Sequence, residues 1–324
     1  MRFDENADLD TSGVDDQRGS GGGFGGGGFG GGGFGGGGVG GRVVAGGGGL
    51  GVVGLVIYLL LANLGGGGDI GLGTGGGYPG LSSGTNGSGR SSDNSSLQQN
   101  CSTGASANDS TDCEVVAVLN SLDSYWGSQF RSGYQRPRTV FFSDRVSTRG
   151  CGSATSASGP FYCPADREIY IDLAFFQELT RKFGTEGGPF AQAYVIAHEY
   201  GHHIQNLLGT NKKVGNDTGP TSGSVRLELQ ADCYAGVWAN HATSTPGRSG
   251  RPLITDINEQ DVDAALDTAS KIGDDYIQSN LGSGRVDESE FSHGSSRQRE
   301  KWFTTGLRTG SPQACDTFGT NNLG

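Results

Sequence analysis

The sequence predicts an α+β fold in which a helical bundle packs on a small mixed sheet, after a glycine-rich tail and one transmembrane helix. Most of the 63 glycines lie among the first hundred of 324 residues, which leaves about 220 residues for one domain with a sizeable core. An uncharged apolar stretch follows the tail. Beyond it, runs with helical spacing of apolar residues alternate with short runs typical of strands.

Residues 1–42 are predicted to form a disordered, glycine-rich tail. An acidic start is followed by a repeat of four glycines and one apolar residue. Such a tract buries too little apolar surface to offset the entropy of ordering its backbone. The period of five also excludes a collagen helix, which needs glycine at every third position.

The next segment, 43–64, is predicted to be a transmembrane anchor. It carries no charge over about 22 residues, the length that a helix needs to cross a bilayer. A cleaved signal peptide would have its apolar core closer to the start of the chain, so an uncleaved anchor is favoured. Arg18 and Arg42 precede the segment, and the next basic residue is Arg90. The positive-inside rule then predicts a cytoplasmic N-terminus and a folded domain in the periplasm or at the cell surface.

The cysteines agree with an oxidising compartment, because all of them follow the apolar segment and their number is even. They are Cys101, Cys113, Cys151, Cys163, Cys233 and Cys315. Near neighbours in sequence suggest disulfides between the first two and between the second two, which leaves the last two to join the chain end to a central helix. A cysteine-rich metal site is the alternative, but the sequence has no C-x-x-C pair.

Residues 65–100 are rich in glycine, serine and asparagine and are predicted to be a flexible linker. The folded domain is expected at 101–319, followed by a short tail at 320–324. The formal net charge is −11, and the chain has no basic stripe, so nucleic acid is not expected as a partner.

Within the folded domain, apolar periodicity and β-branched or aromatic runs predict the elements in order. They are a helix from Asp112, a strand at 139–142, a hairpin of strands 161–163 and 168–172, a helix at 174–182, two central helices, and helices at 258–280 and 297–307.

The first central helix, with Pro189 near its start, carries the motif H-E-x-x-H, formed by His198, Glu199 and His202. Residues four apart share one face of a helix, so the two histidines can present their imidazoles to one metal ion. Glu199 lies one step round from His198 and can reach a water on that metal. The pattern is typical of a zinc site with a general base.

The second central helix, predicted near 224–239, supplies a third ligand. Glu228 and Asp232 are four apart on an otherwise apolar helix. Glu228 would complete a His/His/Glu set and leave one position for water. Asp232 would accept a hydrogen bond from the second ring nitrogen of a ligand histidine and so fix its tautomer. The alternative interpretation is a solvated acidic face.

These two helices resemble the neutral zinc metallopeptidases of bacterial envelopes, the YpfJ-like family, at residues 198–205 and 228–238. Further matches in the same order extend the resemblance over roughly 111–319. They lie at 150–152, 159–166, 169–172, 272–275, 292–294, 298–299, 302–303 and 315–318. The resemblance implies a zincin-like domain, one Zn²⁺ and a peptide or protein substrate in the cell envelope. The spacing from Glu228 to Asp232 also resembles thermolysin-like peptidases, in which an edge strand holds the peptide; the candidate strand is 168–172.

The expected mechanism has Glu199 take a proton from a zinc-activated water and deliver it to the leaving amine. His293, in a stretch that the family shares, is the candidate contact to the oxyanion or substrate; the alternative is a helix cap or a surface residue. His203 is expected to be structural and His241 to lie at the surface. Two other functions stay open: a zinc-binding but catalytically silent binding protein, and a structural envelope protein in which the motif is coincidental.

Overall fold

A computed structural model describes residues 1–18 and 94–324. The predicted anchor at 43–64 and most of the predicted linker lie outside these residues. In the described part of the chain, no helix is both long and apolar enough to cross a membrane.

The described residues form an α+β arrangement, as the sequence predicts. The strands are β1 (Arg2–Phe3), β2 (Val14–Asp16), β3 (Arg138–Phe141), β4 (Arg145–Ser147), β5 (Ser153–Thr155), β6 (Phe161–Cys163), β7 (Glu168–Ile171) and β8 (Ile254–Asp256). The helices are α1 (Ser95–Asn100), α2 (Gly104–Asp109), α3 (Thr111–Gln129), α4 (Phe175–Phe183), α5 (Pro189–Leu208), α6 (Gly223–His241), α7 (Glu259–Lys271), α8 (Asp274–Tyr276) and α9 (Ser296–Thr309).

The main sheet has the strand order β2-β3-β7-β6. β7 pairs in parallel with β3 and antiparallel with β6. The prediction that 168–172 is an edge strand is therefore wrong: β7 is central, and all four of its residues are buried. The hairpin pattern in the sequence identifies β6 as a partner of β7 but does not identify β3, because a long crossover connects β3 to β7. β6 forms the edge of the sheet beside α5, and its residues are also buried.

The first 18 residues, here called the N-terminal arm, pack on the domain, so the prediction of a disordered tail over 1–42 is wrong for 1–18. β2 pairs in parallel with β3, and β1 pairs with β8. Phe3 and Val14 of the arm are buried. Acidic residues of the arm pair with basic residues of the domain. Asp10, for example, accepts a hydrogen bond from Arg136 at 2.7 Å. Residues 19–42 lie outside the described part.

The helices α5, α6 and α9 form the centre of the bundle. α5 has Pro189 at its first position and ends at Gly209, which adopts a left-handed conformation at φ 73°. Gly201 in α5 allows a close approach of α6, because a Cβ there would lie 3.1 Å from backbone atoms of Ala231. The two helices that carry the candidate ligands are therefore packed backbone against backbone.

The predicted helix at 258–280 is wrong in its length. α7 ends at Lys271, α8 is a single turn, and a π-helical turn runs over Ile277–Leu281. The break falls at Gly273, where the backbone lies close to the start of α9: a Cβ on this residue would lie 2.4 Å from the amide nitrogen of Ser296.

The structure forms three disulfides, in the pairing that the sequence suggests: Cys101–Cys113, Cys151–Cys163 and Cys233–Cys315. The third joins α6 to a 3₁₀ turn at Pro312–Cys315. The predicted tail at 320–324 packs on the domain through Leu323, which is buried and accepts a hydrogen bond from the Trp302 indole at 3.0 Å.

Candidate metal centre

Three side chains converge where α5 crosses α6. The Nε2 atoms of His198 and His202 lie 3.1 Å apart. Glu228 places one oxygen 3.1 Å from His198 Nε2 and the other 3.5 Å from His202 Nε2. Two ligands held about 2.0–2.1 Å from a tetrahedral zinc lie about 3.3 Å from each other. The spacing of these atoms therefore fits three corners of a zinc tetrahedron, and they form the one cluster of this kind that the described residues contain.

The three candidate ligands are buried, with exposed fractions of 2 % for His198, 8 % for His202 and 0 % for Glu228. Burial acts to raise the pKa of Glu228, but the imidazoles of His202 and His198 outweigh it and hold that pKa well below its usual range. An ionised carboxylate and two imidazole nitrogens in the protein interior form a donor set that suits a divalent cation. The charge of the cation would offset the buried charge of the carboxylate.

Glu199 is placed beside this triad by its position next to His198 on α5. It is 1 % exposed, and neither carboxylate oxygen has a hydrogen-bond partner among the described residues. Burial raises the pKa of Glu199, against the influence of the two histidines and the nearby amide of Tyr162 in β6. A buried carboxylate without partners is costly, and such a group is typical of a site that acts on a bound molecule.

His198 is held from behind by Asp232, whose Oδ1 lies 2.7 Å from His198 Nδ1. Because the carboxylate accepts this bond, the Nδ1 nitrogen carries the proton and the Nε2 lone pair points to the triad. Arg299 binds the same carboxylate with two N–H groups, both at 2.9 Å. Tyr194 donates its hydroxyl to it at 2.6 Å.

Sequence reasoning missed Arg299 and Tyr194 as partners of Asp232. Both side chains are buried. Arg299 stands in a run of polar and charged residues at the start of α9, where the sequence gives no sign that one arginine is buried. Its spacing of three and four residues from the apolar Trp302 and Phe303 is the signal that could have revealed it, since a buried guanidinium requires a carboxylate.

His293 is buried, at 3 % exposure, so the alternative of a surface histidine is wrong. Its Nδ1 lies 3.1 Å from Asp274 Oδ1. The other oxygen of Asp274 accepts the backbone N–H groups of Ser292, His293 and Gly294 at 2.7, 2.7 and 3.1 Å. His293 Nε2 has no hydrogen-bond partner in the described part of the chain. The histidine lies outside the ligand triad but interacts electrostatically with Glu228.

The other two histidines are held by backbone carbonyls. His203 donates to the Gln135 carbonyl at 2.6 Å and lies 3.1 Å from the Tyr162 hydroxyl. Its burial lowers its pKa to about 4, which fits the expected structural role. His241 is half-buried rather than at the surface, because it stacks on Tyr125 with ring centroids 5.0 Å apart and binds the Gly310 carbonyl at 2.8 Å.

Comparisons with known proteins agree with this geometry. A family model described as "Putative neutral zinc metallopeptidase" matches residues 1–318. An uncharacterised protein of Mycobacterium bovis is 49 % identical over 226 residues, which cover 69 % of this chain and 76 % of that protein. The uncharacterised protein YpfJ of Escherichia coli K12 is 43 % identical over 211 residues, 62 % of this chain and 69 % of its own. No solved structure matches the chain.

Proposed function

The chain belongs to the family described as putative neutral zinc metallopeptidases, and on this premise we propose that it hydrolyses peptide bonds with the aid of one zinc ion. His198, His202 and Glu228 would hold the ion. The observation that carries the proposal is the position of Glu199, a buried carboxylate without partners in the described residues, on the same helix as both histidines. Such a carboxylate, next to a candidate ligand, supports the assignment of Glu199 as a general base.

A zinc ion in this centre would polarise a substrate carbonyl and lower the pKa of an attacking water from about 15.7 towards 7. Glu199 takes the proton of that water and then delivers it to the leaving amine. Burial raises the pKa of Glu199, which is the direction that suits a general base. Asp232 keeps the proton of His198 on Nδ1, away from the reacting atoms.

His293 is proposed to contact the substrate carbonyl or the oxyanion that develops from it. Burial lowers the pKa of His293, but the charges of Asp274 and Glu228 outweigh burial and raise it. Nδ1 of the ring faces Asp274, and Nε2, which has no partner among the described residues, remains for a ligand. Removal of one donor to an oxyanion typically lowers kcat about 10²–10³-fold.

The substrate class that follows is a peptide or protein of the cell envelope. The support is the pairing of all six cysteines in three disulfides, since such bonds persist in oxidising compartments. Attachment to a membrane through 43–64 is a further proposal. It has to be compatible with the contacts between the N-terminal arm and the domain.

The test compares the full chain with its Glu199→Gln variant. We expect both proteins to bind one zinc per chain, measured by elemental analysis, because Glu199 is not a ligand in this assignment. Cleavage of a peptide library should fall at least 100-fold in the variant, as expected for loss of a general base. Glu259→Gln, the same change at an exposed position of α7, should leave cleavage unchanged.

Two outcomes would separate the alternatives. Zinc bound at one per chain without cleavage of any peptide would favour a silent binding protein. A chain that binds no zinc would favour a structural protein and remove the proposal. Equal cleavage by the wild type and Glu199→Gln would show that the proton is taken by another group.

A further inference from the structure

The two candidate ligand histidines are held from behind in different ways. His198 faces the carboxylate of Asp232, which is paired with Arg299. His202 faces a neutral amide, because its Nδ1 lies 2.8 Å from Gln205 Oε1. Among the described residues, no ion pair therefore fixes the His202 ring at Nδ1. The orientation of this ring depends on the contacts that hold the side-chain amide of Gln205.

The orientation of the Gln205 amide is set by its other contacts. Its nitrogen donates to the Leu227 carbonyl at 2.7 Å and to Gln230 Oε1 at 3.2 Å. Since the Leu227 carbonyl can only accept, the amide nitrogen must face α6 and the amide oxygen must face His202. An amide oxygen also only accepts, so His202 carries its proton on Nδ1 and directs the Nε2 lone pair into the triad.

A second amide continues this chain of contacts to the end of the domain. Gln230 donates its nitrogen to the backbone carbonyl of Cys315 at 2.9 Å. Cys315 is bonded to Cys233 of α6, across a sequence separation of 82. Gln205 is fully buried and Gln230 nearly so, which makes an unpartnered amide costly at either position.

Hydrogen bonds to α6 also hold the segment that supplies this carbonyl. Thr317 donates its hydroxyl to the Arg226 carbonyl at 2.6 Å, and Arg226 donates to the Thr320 carbonyl at 2.7 Å. Both contacts lie one turn before Gln230 on α6. The disulfide is the covalent bond that holds the Cys315 carbonyl over Gln230.

We propose that Gln205 and Gln230 are positioning residues for His202, and that the Cys233–Cys315 disulfide completes this relay by fixing the Cys315 carbonyl. The inference rests on the proposed zinc site and concerns how one of its ligands is held. Both amides are neutral, so the relay sets the tautomer and direction of His202 without adding charge to a centre that already contains Glu199 and Glu228. Zinc affinity then depends on a disulfide that touches no ligand.

The first test is Gln205→Leu in the full chain, which removes the acceptor for His202 at similar volume. We expect zinc affinity, measured by competition with a chelator, to fall about 10–100-fold, the usual effect of losing a partner behind a ligand. Gln192→Leu makes the same change on the same helix, at a residue whose Oε1 has no hydrogen-bond partner among the described residues. It should leave zinc affinity unchanged.

The position of the proton on the His202 ring can be measured in the metal-free protein. It would not change if Gln205 only stabilised the fold. Nitrogen NMR of the His202 ring should show a proton on Nδ1, hydrogen-bonded to Gln205, in the wild type and a changed Nδ1 signal in Gln205→Leu. Gln230→Leu should give an intermediate result, because Gln205 keeps its bond to Leu227. A wild-type ring without a proton on Nδ1 would overturn the relay even if every variant failed to fold.

The disulfide is tested by Cys233→Ser with Cys315→Ser, against Cys101→Ser with Cys113→Ser as the matched control. Both pairs should lower the melting temperature, but only the first should weaken zinc binding. Equal zinc affinities for the two double variants, or for Gln205→Leu and the wild type, would overturn the inference. A wild type that binds no zinc would overturn the proposed function instead, while the tautomer measurement would still test the relay.

Discussion

Asp232 is the residue on which the buried charges of the centre converge. It accepts hydrogen bonds from His198, Tyr194 and both N–H groups of the Arg299 fork. Burial acts to raise the pKa of Asp232, but Arg299 and His198 outweigh it and lower the pKa to about 2. Asp232 is therefore ionised at neutral pH, and its charge is matched to that of Arg299.

Asp232→Asn is expected to lower zinc affinity about 10–100-fold, because the amide is a weaker acceptor for His198 and leaves the Arg299 cation without a counter-charge. The measurement is chelator competition on the full chain. Asp267→Asn, which removes an ion pair with Lys271 on α7, serves as the control and should bind zinc normally. An unchanged affinity in Asp232→Asn would remove the assigned role of the carboxylate.

Glu114 in α3 gives a prediction on pH that is independent of the metal. The side chain is 6 % exposed, and its Oε1 has no hydrogen-bond partner in the described part of the chain. Burial raises its pKa from 4.5 to about 7. The folded state therefore favours the protonated form, so Glu114 lowers stability progressively as pH rises from 4.5 to 7 and by a constant amount above that.

Glu114→Gln should consequently raise the free energy of unfolding by up to about 3 kcal/mol at pH 8 and by close to nothing at pH 4.5. The measurement is urea unfolding at the two pH values. A gain of the same size at both would mean that folding does not shift the pKa of the carboxyl group.

At the scale of elements, α6 and α9 cross in close contact. A Cβ on Gly306 would lie 1.9 Å from the Cys233 carbonyl oxygen, and one on Gly236 would lie 2.1 Å from the Phe303 carbonyl oxygen. Glycine at both positions lets the helix backbones touch. This crossing sets where Arg299 of α9 meets Asp232 of α6.

Gly306→Ala should therefore destabilise the domain by more than about 3 kcal/mol, since the methyl group meets backbone atoms that cannot move separately. Gly127→Ala in α3 is the matched control. Its nearest neighbour would lie 3.4 Å away, on the Tyr134 ring, and alanine favours a helix by about 1 kcal/mol over glycine. Thermal unfolding of both variants should show a large loss for the first and no loss for the second.

The elements that could be predicted from the sequence are those whose pattern is local. His198, Glu199 and His202 lie within one helical segment, so the 3.6-residue period alone places them together. The same holds for Glu228 and Asp232. The partners that complete the centre are distant in sequence: Arg299 lies 67 residues from Asp232, and Cys315 lies 85 residues from Gln230. No periodicity relates such residues, and only the packing of α9 and the chain end on α6 brings them together.

At the scale of the whole molecule, the N-terminal arm constrains how the chain can meet a membrane. The Asp16 amide donates to Asn94 Oδ1 at 2.8 Å, and the Asn94 side chain donates to the Val14 carbonyl at 2.8 Å. Residues before and after 19–93 are thus bonded to each other. A helix that crossed a bilayer once would separate them by about 30 Å. The predicted arrangement, with a cytoplasmic N-terminus and the domain outside, would require these contacts to break, and we propose that the arm and the domain share one side.

Val14→Asp in the full chain tests this conclusion. Val14 is 3 % exposed and pairs with β3, so a charge there should cost several kcal/mol and lower the melting temperature of the domain. Ser12→Asp introduces the same residue at an exposed position of the arm and should be close to neutral. If the arm and the domain lay on opposite sides of a membrane, Val14→Asp would be as harmless as Ser12→Asp in membranes isolated from cells. A loss confined to Val14→Asp would show that both parts of the chain are in one compartment.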